Sequence, residues 1–174
     1  VPDHSTLSRT RQRLPLAVIT TLVAQVGRAL QEAINKTGLW RGHRVVWCDG
    51  SGFSMPDTPA LQAHFGQPGG QKKGCGFPVA HLLAAFEAGG GLVLEMIASA
   101  LRTHDLAQVN KIHPQLRAGD VLVADRGFCS FAHLALIRRH GLHACLRVHQ
   151  KQIVDFEPHR PHAVSQKRAK GLPR

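Results

Sequence analysis

At 174 residues the chain suits one domain with a small appendage, and its 43% apolar content is enough for a core. Its 22 Lys and Arg against 11 Asp and Glu leave a net charge of +11 and a pI near 10.6, which favours a polyanionic partner, nucleic acid before a membrane surface. No apolar run approaches the roughly 18 to 20 residues that cross a bilayer, nothing reads as a secretory leader, and Cys48, Cys75, Cys129 and Cys145 form no C-x-x-C pair, so they read as reduced thiols rather than a disulfide frame or a zinc site.

Residues 1–13, "VPDHSTLSRTRQR", are polar and basic, with Ser5 or Thr6 able to cap a short helix. From Leu14 to Asn35 the residues Leu16, Ile19, Val23, Val26, Leu30, Ala33 and Ile34 recur in steps of three and four, a helical stripe that Gly38 can end. This helix belongs either to a remnant of a DNA-binding region or to a simple packing helix. Arg44–Asp49 carries the strand formers Val45, Val46 and Trp47. "DGSG" then reads as a turn, with Phe53, Ser54 and Met55 beginning a second strand. Residues 56–78 are dense in Pro and Gly and predict an extended loop exposing Lys72 and Lys73. Two apolar runs about Gly89–Gly91 predict a hairpin. "HDLAQVNKIHPQL" predicts a short helix starting near Thr103 or Asp105. Val121–Ala124 reads as a strand, "SFAHLALIRRHG" as a helix stopped by Gly141, and "LHACLRVH" as a last strand. Helices alternating with strands late in the chain point to an α/β layer on a mixed sheet. The chain opens at Val1 and closes on "QKRAKGLPR", which reads as a piece of a longer frame, incomplete at its C-terminus.

Asp49 and Asp125 each close an apolar strand, in "VVWCDGSG" and "VLVADRGF". In open α/β sheets ligands gather beyond the strand ends. Two carboxylates on neighbouring strands there can share magnesium, a hard cation that keeps several waters and needs only one or two protein carboxylates beside substrate phosphate. Each motif alone also suits a turn, and Asp125 alone a helix cap. The pair matters because both occur in one strongly basic chain.

The stretches "CDGSGFSMPDTPALQAHFGQPGGQKKGCGFP" and "GDVLVADRGFCSFAHLALIRRHGLHACLRVH" resemble the catalytic core of bacterial insertion-sequence transposases of the Asp-Asp-Glu class, in the branch named after the fourth insertion sequence. The likeness covers roughly residues 43 to 150 and is most specific in "DGS…MPDT", "FG…GFP" and "ADRGFCS". It implies an RNase H-like mixed sheet flanked by helices and preceded by an N-terminal helix. It divides the chain into an N-terminal helical segment (1–40), a partial catalytic core (41–150) and a basic tail or truncated continuation (151–174). It implies Asp49 and Asp125 as catalytic residues and ligands of Mg2+ or Mn2+, with double-stranded DNA, both terminal inverted repeats and target, as partner. A homodimer of the full-length protein and a location in the bacterial cytoplasm at the nucleoid, away from any membrane, go with it. The implied reaction is phosphodiester cleavage followed by attack of the freed 3′-hydroxyl on target DNA. The family's third carboxylate is a Glu in a Tyr-x2-Arg-x3-Glu-x6-Lys signature. This sequence has no Tyr, and Glu157 in "DFEPHR" matches none of that pattern. The expectation is an enzyme in the full-length frame and an inactive chain by itself, with a non-catalytic DNA-binding remnant as the alternative.

Lys72, Lys73, Arg126, Arg138, Arg139, Arg147 and Lys151 are the candidate DNA-backbone contacts. Glu87 and Glu95 read as solvent-facing hairpin positions, His104 and Asp105 as helix-start residues, and Phe128 as a core residue before a wedge against a base. His81, His133, His140, His143 and His149 show no ligand pattern. "DGSG" lacks the G-x-S-x-G elbow, which argues against a Ser51 nucleophile.

Overall fold

The computed structural model describes residues 3–37, 39–72 and 76–148. Two helices, α1 (His4–Arg13) and α2 (Leu16–Thr37), lead into β1 (Val45–Ser54). Then come α3 (Pro59–Phe65), β2 (Val79–Glu87), β3 (Val93–Ala100), α4 (Asp105–Gln108) and two 3-10 turns, Val109–Lys111 and His113–Gln115. β4 (Val121–Ala124), a third 3-10 turn (Arg126–Phe128), α5 (Phe131–Arg139) and β5 (His143–Leu146) complete the described chain. The five strands form one sheet in the order β3-β2-β1-β4-β5. β1, β2 and β3 pair antiparallel, while β4 and β5 join in parallel. This is an α/β fold with helices on a mixed sheet, as expected of an RNase H-like core.

One face of the sheet makes the core. Val46, Cys48, Leu83, Ala85 and Leu122 meet Val109, Ile112, Phe128, Ile137 and Leu142 from the helices and turns. The alternation in β1 shows why: Val46 and Cys48 are buried, while Trp47 on the opposite face is 55% exposed. The start of β4 is tied to β1 by a buried ion pair. Arg44 donates through Nε (3.1 Å) and Nη2 to the carboxylate of Asp120, and Asp120 also accepts from the Arg117 N–H at 2.7 Å.

The structure corrects several expectations. "DGSG" is no turn. It lies inside β1, which runs unbroken to Ser54 because β2 pairs with it from Val46↔Glu87 to Ser54↔Val79. The 56–78 loop contains a helix, α3, started by Thr58, whose Oγ1 accepts the Leu61 N–H, and by Pro59, which needs no donor in the first turn. α1 begins at His4, so Ser5 lies inside it and donates its hydroxyl to Asp3. Glu87 does not face solvent. It is fully buried, and its two oxygens accept the Gly89 and Gly90 N–H groups (2.8 and 2.7 Å), closing the hairpin turn. Glu95 accepts from Gln115 Nε2 at 3.1 Å. The hairpin, β4, α5 and β5 follow the sequence reading. Ser130 caps α5 by accepting the His133 N–H, and Gly141 takes the left-handed φ of 67° that ends it.

α2 carries the expected apolar stripe but leaves most of it open. Leu16 is 73% exposed and Val23 55%. The helix touches the main body where a Cβ on Gly27 would meet Leu92 at 3.7 Å and where Arg44 Nη1 reaches Gln31. Among the described residues no single helix is long and apolar enough to cross a membrane.

Candidate active site

β1 and β4 run in parallel with Trp47 opposite Val123 and Cys48 opposite Ala124. Asp125 follows β4 with its backbone still extended (φ −75°, ψ −178°). The pairing ends at Cys48 and Ala124, so Asp49 and Asp125 each stand one residue beyond the last pair of these two strands. Asp49 continues within β1 while Asp125 leaves β4 as the cap of the 3-10 turn, and neighbouring strands are about 4.8 Å apart. The two sequence candidates, 76 residues apart in the chain, become neighbours, and both are exposed.

Each carboxylate is aimed by a backbone amide just after it. The Gly50 N–H donates to Asp49 Oδ1 at 2.8 Å, and the Gly127 N–H donates to Asp125 Oδ1 at 2.7 Å. The second contact is an N-cap on the 3-10 turn, so the capping role read for Asp125 coexists with its place beside Asp49. In both cases Oδ2 is left without a partner among the described residues. A Cβ at Gly127 would lie 2.9 Å from Asp125 Oδ1 and would displace that carboxylate.

The surroundings narrow the chemistry. Cys48 is buried beneath the pair, and burial, then the charges of Asp105 and Asp49, push its thiol up to about 12. It stays protonated near neutral pH and offers no thiolate nucleophile. Phe128 is fully buried in the core and unavailable to wedge against a base. Cys129 and Cys145 form no disulfide, whereas Cys75 lies outside the described residues.

A profile of the transposase DDE domain family matches residues 40–173. The chain belongs to this family. No curated protein matched the chain. A transposase DDE domain acts on DNA, and such domains generally use divalent metal ions. Among the described residues no group of three or more His, Cys, Asp or Glu side chains is arranged to hold a metal. The Asp49–Asp125 pair nonetheless has the donor chemistry that magnesium requires, hard and exposed oxygens from two carboxylates.

For a DNA-acting domain the basic candidates are placed unevenly. Arg126 is exposed and adjoins Asp125 in sequence. Arg138 and Arg139 form the exposed last turn of α5, and Arg147 is exposed just past β5. Lys72 is exposed in the α3–β2 connection. Lys73 and Lys151 lie outside the described residues, as do His149 and Glu157.

Sequence reasoning missed one partnership. Asp105, taken as a helix-start residue beside His104, does open α4, but its Oδ1 lies 2.5 Å from His81 Nε2. The available signal was Gly50 itself, since a glycine inside a strand often marks a close approach by another group.

Proposed function

We infer that this chain is the catalytic core of an insertion-sequence transposase, in the branch named after the fourth insertion sequence, which cleaves a phosphodiester at the element end and transfers the strand to target DNA. The observation that carries this reading is the parallel β1–β4 register that sets Asp49 and Asp125 side by side on one exposed face.

In this mechanism Asp49 and Asp125 hold Mg2+ or Mn2+ through their free oxygens, while the Gly50 and Gly127 amides fix the orientation of both acids. A divalent ion there supplies Lewis acidity at the scissile phosphate and a lowered pKa for the attacking water or 3′-hydroxyl. Arg126 meets a phosphate next to the pair, and Arg138, Arg139, Arg147, Lys72, Lys73 and Lys151 track the DNA backbone. No side chain becomes covalently attached to DNA, in keeping with a site whose buried thiol is held protonated. Residues 41–150 form the core, 1–40 are a helical remnant of a DNA-binding region, and 151–174 are a basic tail or truncated continuation. The full-length protein works as a homodimer on terminal inverted repeats and target DNA at the bacterial nucleoid.

The test is strand cleavage of terminal-repeat DNA by the full-length frame, with Asp49→Asn and Asp125→Asn. Both variants are expected to lose cleavage while still binding the DNA. Cleavage at the unmodified rate in either variant would reject the assignment. A wild-type protein that binds terminal-repeat DNA but never cuts it, with or without Mg2+, would favour the non-catalytic remnant, a reading supported by the missing Tyr–Arg–Glu–Lys signature.

A further inference from the structure

Gly50 pleats to the face of β1 opposite Asp49. A Cβ built there would lie 2.6 and 2.9 Å from the two carboxylate oxygens of Asp105. The Asp105 carboxylate therefore rests against the β1 backbone at the very residue whose N–H holds Asp49. His81 of β2 anchors it from the other side at 2.5 Å, with side chains 19% and 27% exposed for His81 and Asp105. His81 is the register partner of Gly52, so this contact lies along the same stretch of β1. α4, which Asp105 opens, also packs against the 3-10 turn Arg126–Phe128. That turn contains Gly127, whose N–H holds Asp125. One short helix thus touches both the Gly50 backbone and the turn that carries Gly127.

The geometry points to Asp105, anchored by His81, as a positioning residue for the Asp49–Asp125 pair, acting through the Gly50 and Gly127 amides and not on the DNA or the ion. The inference rests on reading Asp49 and Asp125 as the metal-holding pair. Asp105 is no third ligand, because it approaches β1 from the opposite face and no three-ligand group forms among the described residues. Nor does fold stability alone account for it, since a partly exposed His–carboxylate contact contributes little. Groups that orient ligating carboxylates, by contrast, typically change metal affinity or activity by about 10–100-fold when removed.

The experiment uses the full 174-residue chain, with Mn2+ alone as the probe. NMR follows hydrogen exchange at the Gly50 and Gly127 amides, and paramagnetic broadening reports Mn2+ affinity. Asp105→Ala is expected to speed exchange at these two amides selectively and to weaken Mn2+ binding by about tenfold. Asp105→Asn, which keeps an acceptor for His81, is expected to restore both. His81→Ala leaves Asp105 in place without its anchor; it is expected to shift the same two amides by a smaller factor and decides the matter should Asp105→Ala not fold. Exchange at Gly50 and Gly127 that stays at the wild-type rate, or rises only in step with every amide of β1 and β2, would overturn the inference. Asp49→Asn and Asp125→Asn address the underlying reading separately. If they leave Mn2+ binding intact, the metal-holding pair is wrong, whatever the two glycine amides show.

Discussion

His113 and His133 meet beside the 3-10 turn Arg126–Phe128, Nε2 to Nε2 at 3.1 Å, and both are buried. His133 Nδ1 donates to the Phe128 carbonyl at 2.8 Å. Its Nε2 must then accept from His113 Nε2–H, which leaves His113 Nδ1 buried without a partner. Burial, with His133 and His140 facing it, lowers His113 from 6.5 to about 4, and burial also lowers His133. The unfolded chain therefore binds protons between pH 6.5 and 4 that the folded chain refuses. Stability is full above pH 6.5, falls as pH drops through this window, and levels off below about 4. The loss should be on the order of 2–3 kcal/mol. Urea denaturation from pH 7 to 4 measures it, and His113→Gln should flatten most of the slope.

The Arg44–Asp120 pair predicts a steeper cost. Both side chains are about 95% buried, and Arg44 also donates to the Gln115 carbonyl at 2.9 Å. Asp120→Ala strands a buried guanidinium and should destabilise by about 3–5 kcal/mol. Asp120→Asn, which still accepts a hydrogen bond, should cost less. Denaturation midpoints of the two variants check the order, and equal midpoints would contradict it.

Gly127→Ala should separate function from fold. The new Cβ would stand 2.9 Å from Asp125 Oδ1. The flexible, exposed carboxylate gives way before the backbone does, so stability should change by less than about 1 kcal/mol. Cleavage of terminal-repeat DNA should fall by about tenfold or more, the order of magnitude seen for displaced catalytic groups. A variant with normal cleavage would show that the amide contact does not orient Asp125.

Arg126, Arg138, Arg139 and Arg147 should each act through charge. If one contacts a phosphate, its replacement by Gln lowers DNA affinity about equally across sequences and reduces the slope of log affinity against log salt by about 1. Fluorescence anisotropy at several salt concentrations reads this directly. An unchanged slope removes that arginine from the interface.

Much of the scaffold was legible locally. The hairpin around Gly89–Gly91, β4, and α5 with its Ser130 cap and Gly141 stop each follow from patterns a few residues long. So does the placing of Asp49 and Asp125 after apolar strand residues. β1 was misread because "DGSG" favours a turn on its own, and only nine register pairs with β2 hold it extended through Ser54. Glu87 looked like a surface charge because its two donors come from the folded hairpin turn.

By itself the sequence determined which segments could be strands or helices, and that Asp125 would stand at a strand exit, because backbone preference and apolar alternation act between near neighbours; Asp49, expected at an exit too, lies inside β1. The tertiary structure alone decided that Trp47 pairs with Val123 and so brings Asp49 beside Asp125, and that Asp105 reaches His81 and the back of Gly50. Those contacts depend on register and helix docking across 24 to 76 residues of chain, where no local propensity reaches.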